Sequence, residues 1–166
     1  MQTPSLNENS HDEFDYQSDK KEYLTCHVEN QSFGIPVLQI QDILSQQRVT
    51  YVPLAPPEVE GSLNLRGRIV TAVNIRKKLG ISPRGQCERS MSIVVEHKDD
   101  LYSLTVDSVG EVVSLPNSDF EKNPATLDKS LKSISSGIYR LKSDLLVILD
   151  VSNLIESLLV MDGIEQ

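Results

Sequence analysis

The chain has little with which to do covalent chemistry. It carries 2 cysteines, Cys26 and Cys87, too few for a disulfide framework or a thiolate zinc site. Its 3 histidines, His11, His27 and His97, have no partners at metal-ligand spacing. HExxH, GxSxG, GxGxxG and Walker patterns are absent. Asp107 and Glu111 could pair as carboxylates, but no nucleophile accompanies them. Neither an enzyme nor a cofactor or metal is expected. No run approaches the roughly 18 apolar residues of a membrane span, and residues 1–18 lack the apolar stretch of a signal peptide. Both point to a cytoplasmic protein with no membrane insertion. Positive charge is also short: 16 Lys and Arg against 24 Asp and Glu give a net charge of −8. A protein that neutralises phosphates needs the opposite surplus, so no nucleic-acid partner is expected. A small-barrel nucleic-acid binder is a remote alternative, resting on seven basic residues within 66–89, a stretch without stacking aromatics. The same stretch reads either as a solvated face or as a patch that orients an acidic partner.

What is present is 166 residues, enough for one domain or two very small ones sharing a core. Residues 1–21 are expected to form a disordered acidic tail. Glu8, Asp12, Glu13, Asp15 and Asp19 lie there with too little apolar surface to offset ordering entropy. Phe14-Asp15-Tyr16 is its one candidate docking motif. Beyond it the chain reads as short strands. Leu24, Cys26 and Val28 alternate with Tyr23, Thr25 and His27, which makes Cys26 a small core residue. Phe33, Ile35 and Val37 form the returning strand. Ile40, Ile43 and Leu44 switch to helical spacing, which predicts a short helix through about Leu44. Residues 48–52 read as a further strand stopped by Pro53. A hairpin turns at Arg66-Gly67-Arg68, where Gly67 can take φ > 0, and a helical turn follows, closed by Gly80. Strands over 92–96 and 101–115 meet at Lys98-Asp99-Asp100, with Gly110 marking a bulge or bend. Loop and a weak helix fill 116–135, and a hairpin spans 138–149. Val151, Leu154, Ile155, Leu158 and Leu159 make the apolar stripe of a C-terminal helix, capped by Asp150 or Ser152. Hairpin, strand, Asn74 and helix over 63–79 echo hairpin, strand, Asp150 and helix over 138–156. The echo suits two similar small barrels in one chain.

Five blocks in order resemble the CheW-like domain of bacterial chemotaxis. They are Phe33-Gly34-Ile35-Pro36-Val37, then Gly61-Ser62-Leu63-Asn64-Leu65-Arg66-Gly67-Arg68-Ile69-Val70, similar to G-x-x-N-x-R-G-x-[IV]-[VIL]. Asn74-Ile75-Arg76-Lys77-Lys78-Leu79-Gly80 is similar to D-L-R-x-x-L-G, and Val106-Asp107-Ser108-Val109-Gly110-Glu111-Val112 to V-D-x-V-x-E-V. Ile148-Leu149-Asp150-Val151-Ser152-Asn153-Leu154-Ile155 resembles the closing block. The resemblance implies a mainly β fold of two intertwined five-stranded SH3-like β-barrels with short helices and a C-terminal helix. It would occupy residues 22–160, with 161–166 as a flexible end. It implies a non-enzymatic adaptor without a cofactor. Such an adaptor holds the regulatory domain of a CheA-type histidine kinase beside the cytoplasmic tip of a chemoreceptor, in membrane-associated arrays, with weak or no self-association. The length has no room for kinase or receiver domains, so the chain resembles the stand-alone adaptor. A family scaffold in another kinase pathway, such as surface motility or pili, is the alternative.

The resemblance also assigns a partner-binding set. Val37, Ile40 and Asp42 align with a strand end and helix facing the kinase or receptor. Arg66 aligns with the arginine of N-x-R-G, whose planar fork can bridge carboxylates or carbonyls. Asn64 and Gly67 would set the turn that aims it, and Val112 aligns near the receptor groove. For Asn64 and Gly67 the plainer role is the turn itself, and for Val112 it is core. Asn74 departs from the family's acid and Thr71 from its frequent proline, although Asn74 can still cap the turn after it.

Overall fold

The computed structural model describes residues 19–85 and 88–161, the last two by backbone alone. Chain order is β1 Lys20–Val28, β2 Gln31–Pro36, a 3-10 turn Val37–Gln39, β3 Ile40–Ser45, β4 Val59–Leu65 and β5 Arg68–Asn74. Helix α1 Ile75–Lys78 follows, then β6 Met91–His97, β7 Asp100–Val106, β8 Ser108–Pro116 and a 3-10 turn Asn117–Asp119. Helix α2 Lys129–Ile134, β9 Ser135–Arg140, β10 Leu145–Leu149 and α3 Val151–Met161 complete it. The strands form two five-stranded sheets, ordered β8-β1-β2-β10-β9 and β3-β6-β7-β5-β4. The chain begins and ends in the first sheet and builds the second between, so the two are intertwined.

The internal echo is real in the topology. In each sheet three antiparallel strands meet a hairpin through one parallel pair, β2 with β10 and β7 with β5. Each hairpin runs into a helix capped by its last polar residue. Asn74 Oδ1 accepts from the Lys77 N–H at 3.2 Å, and Asp150 Oδ1 from the Asn153 N–H at 3.0 Å. The departure at Asn74 has a local reason: its Nδ2 donates to Glu60 Oε1 at 2.6 Å, where an aspartate would set two carboxylates together.

One apolar core takes residues from both sheets and α3, including Val28, Phe33, Ile35, Ile75, Ile93, Leu104, Leu154 and Ile155. Cys26 lies within it. Two smaller clusters belong to one sheet each: Tyr23, Tyr139, Leu146 and Ile148, and Val70, Val94 and Leu101. The bulge expected at Gly110 is present. Leu24 pairs with Val112 and Cys26 with Val109, so Gly110 and Glu111 together face Thr25, whose hydroxyl donates to the Glu111 carbonyl at 2.8 Å.

Three sequence expectations fail. Residues 101–115 are not one strand but two, β7 and β8, which part at Asp107 and belong to different sheets. Residues 40–44 are not helix but the edge strand β3, with Ile43 opposite Ile93. A five-residue helix is marginal, whereas β6 is buried along its middle and needs its edge hydrogen bonds met. Residues 48–52 form no strand. They touch the sheet at one bridge, Thr50 to Ser62, and Pro53, which lacks an N–H, cannot extend that contact into a ladder. The expected stripe on α3 holds except at Leu159, which is 42% exposed. Strand β1 begins at Lys20, within the segment expected as tail. Residues 1–18 and 162–166 lie outside the described residues.

The chain passes between sheets at Asp107, and a buried arginine fixes that joint. Arg76 of α1 pairs with Asp107 at 2.6 Å and Glu29 of the β1–β2 turn at 2.7 Å, and its Nε donates to the Ser82 carbonyl at 2.9 Å. Asp107 Oδ2 also accepts from the Glu29 N–H at 2.7 Å. Removing one member of a buried pair leaves the other unpaired. Arg76→Met should therefore cost on the order of 3 kcal/mol, read as a lower urea midpoint. Adding Asp107→Asn should cost less than the sum of the single changes.

Burial pushes the Cys26 thiol up to about 12, so the neutral thiol is the folded form. The sign follows from the raised value. Above the unfolded thiol's pKa, the unfolded chain ionises and the folded one does not. Stability should fall as the pH rises from about 9 toward 12, and Cys26→Ala should flatten that slope. In a Cys87→Ser chain at pH 8, thiol reagents should label Cys26 only at the rate of unfolding; rapid labelling would show an accessible thiolate instead.

Candidate partner-binding surface

The β4–β5 hairpin is closed by Arg66 and Gly67, both with φ > 0 at 52° and 84°, as a type I′ turn requires. Asn64 Oδ1 accepts from the Gly67 N–H at 2.9 Å. A Cβ on Gly67 would meet nothing within 4 Å, so the glycine answers a backbone need and not a steric one. The turn carries Arg66 outward, with its side chain 79% exposed. Arg66 lies 3.0 Å from Asp42 Oδ2, on a side chain 23% exposed. The contact is an ion pair without hydrogen-bond alignment, since that oxygen has no hydrogen-bond partner. Asp42 Oδ1 accepts from the Ile43 N–H at 2.9 Å. Strands β3 and β4 are opposite edges of one sheet, so this pair joins two edges.

Four residues of the expected set thus come together: Asp42, Asn64, Arg66 and Gly67. Val37 and Ile40 flank the crossing from β2 to β3. Val37 is half-buried in the 3-10 turn, and Ile40 is half-buried against the main core. Val112 is in the other sheet, 52% exposed beside the bulge. A plain core role does not describe it.

The basic stretch is not a continuous patch. Arg66 faces Asp42, Arg76 is buried between Glu29 and Asp107, and Arg84 pairs with Glu88 at 2.7 Å. Arg68 donates to the Asp99 carbonyl at 2.7 Å. Sequence reading missed several exposed apolar side chains: Leu38 at 92%, Leu54 at 93%, and Tyr51 and Ile69 at 76%. Leu38 follows the Pro36-Val37 strand end, and that break was its one sequence signal. Leu54 adopts φ 65°, a strained state for leucine that no sequence pattern announced.

Among the described residues no helix is long and apolar enough to cross a membrane. The family model of the CheW-like domain matches residues 22–159. The chain is 32% identical over 143 residues to a chemotaxis protein CheW of Thermotoga maritima, covering 86% of this chain and 93% of that one. It is 27% identical over 129 residues to a chemotaxis protein CheW of Helicobacter pylori, covering 78% of each. The crystal structure of the scaffolding protein TtCheW from Thermoanaerobacter tengcongensis superposes with a TM-score of 0.73 at 26% identity, over 82% of this chain and 92% of that one. With that match spanning both sheets, the chain belongs to the CheW-like domain family of non-enzymatic chemotaxis adaptors.

Proposed function

We propose that the chain bridges a CheA-type histidine kinase and a chemoreceptor, taking the kinase by its regulatory domain and the receptor by its cytoplasmic tip. It would do so in the cytoplasm, recruited to receptor arrays, with little self-association of its own. Arg66 carries this reading. It sits on a rigid two-residue turn, is mostly exposed, and has one carboxylate contact and no hydrogen bond to it. Its remaining N–H donors can meet carboxylates or carbonyls of a partner. Asp42 holds it in place without shielding it. Val37, next to the Pro36 that pairs with Tyr23, and Val112, which pairs with Leu24, offer apolar surface on either side of β1.

Pairwise contacts of this kind are weak, and a repeating assembly gains strength from their number. The same surfaces would serve a scaffold in another kinase pathway, and the partner's identity separates the two cases.

Titration calorimetry against an isolated kinase regulatory domain and against a receptor-tip fragment tests the reading. Arg66→Ala should weaken one of them by on the order of tenfold. It should change folding stability by only on the order of 1 kcal/mol, since Arg66 is exposed although Asp42 is not. Ile40→Ala should behave differently, costing roughly 1–3 kcal/mol of stability as a partly buried core contact. Wild-type protein that binds neither fragment would refute the bridge.

A further inference from the structure

A cleft of about 500 Å3 opens between β1, β2, β9 and β10. Lys21, Tyr23, Pro36, Phe120, Tyr139 and Ile148 are among its walls. Its aromatic side is a ladder of edge-to-face rings: Phe120 to Tyr139 at 5.6 Å and Tyr139 to Tyr23 at 5.5 Å. The two phenol oxygens are 3.4 Å apart. Phe120 covers Gly137 so closely that a Cβ there would come within 2.1 Å of its ring. The ring nevertheless stays 37% exposed. Burial raises the pKa of the Tyr139 phenol and so favours its neutral form.

We propose that this cleft is the docking site of the chain's own N-terminal segment, with Phe14 and Tyr16 seated against the Phe120–Tyr139 wall. Position is the first argument. The Asp19 carbonyl accepts from the Asn117 N–H at 2.7 Å, and Asn117 and Lys21 both line the cleft. Residues 1–18 therefore join the described chain at the cleft's edge. Reach is the second. Phe14 lies five positions before Asp19, an extended span of about 17 Å, while Asp19 to Tyr23 covers about 13 Å along β1. That length is enough for Phe14 to reach the cleft if the segment docks there.

Proximity is the third argument. Such a short tether gives an effective concentration on the order of millimolar, so a contact too weak between molecules is populated within one. Charge contributes little to selection. Lys21 at the rim suits Asp12, Glu13 and Asp15, but Asp119, which acts electrostatically on Tyr139, and Asp150, which lines the cleft, oppose them. The anchor is aromatic, and the docking should survive raised salt. A smaller groove of about 240 Å3, lined by Lys21, Pro36, Val37 and Leu38 among others, shares Lys21 and Pro36 with the cleft. A seated segment would lie beside Val37. The inference stands on the cleft and the tether and does not rest on the kinase–receptor reading.

The test is paramagnetic relaxation in the full, isotope-labelled chain. A nitroxide is placed through Ser10→Cys with Cys87→Ser; buried Cys26 stays unlabelled. Amide peaks of Lys21, Tyr23, Ser136 and Tyr139 should lose intensity, independent of protein concentration and in high salt. Adding Phe14→Ala and Tyr16→Ala should restore them, while peaks of β6 and β7 confirm an intact fold. Equal broadening with and without the two aromatics would overturn the proposal, leaving only a tethered random segment. Broadening that grows with protein concentration would also overturn it, assigning the cleft to the segment of a second copy.

Discussion

The shared core is the constraint on which everything else rests. Five short strands make a sheet with two faces, and each sheet here covers only one of them with its own side chains. The small clusters around Tyr139 and around Val94 account for those faces. The other faces meet each other, and the largest core is drawn from Val28, Phe33 and Ile35 of one sheet and Ile93 and Leu104 of the other. Helix α3 adds Leu154 and Ile155 to the same core. Units this small are marginal alone, and the chain threads through both sheets before closing.

Threading concentrates the chain's crossings between sheets, and these crossings position the surface groups. The joint at Asp107 is clasped by Arg76 and Glu29. The crossing from β2 to β3 presents Val37 and Leu38. The Asp42–Arg66 pair joins the two edges of the second sheet. An adaptor has no chemistry to perform, so its function lies in holding such groups at fixed separations. Turns with φ > 0, such as the one at Arg66-Gly67, serve this rigid spacing better than mobile loops would.

Much of this was legible in the sequence because it is local. The strand at Leu24-Cys26-Val28, the hairpin at Arg66-Gly67, the bulge at Gly110 and the cap at Asp150 each follow from a few neighbouring residues. The echo between 63–79 and 138–156 survived as a topological repeat. The failures are non-local. The helical spacing of Ile40, Ile43 and Leu44 yields to the unmet edge of β6, which no window over 40–44 contains. Arg76 looked like part of a basic stretch, yet its partners Glu29 and Asp107 arrive from two other turns. Asp42 and Arg66 were each singled out, but their contact depends on how the second sheet brings its edges together. The aromatic cleft escaped notice because Tyr23 and Tyr139 stand 116 residues apart.

If one small, non-catalytic molecule couples a kinase to a receptor, the kinase must respond to it when the receptor is present. The most direct measurement is the autophosphorylation rate of a CheA-type kinase sedimented with receptor-bearing membranes, with and without this protein. The protein should pellet with both partners, and kinase activity in the pellet should rise. Kinase activity and kinase sedimentation unchanged by the protein would contradict it.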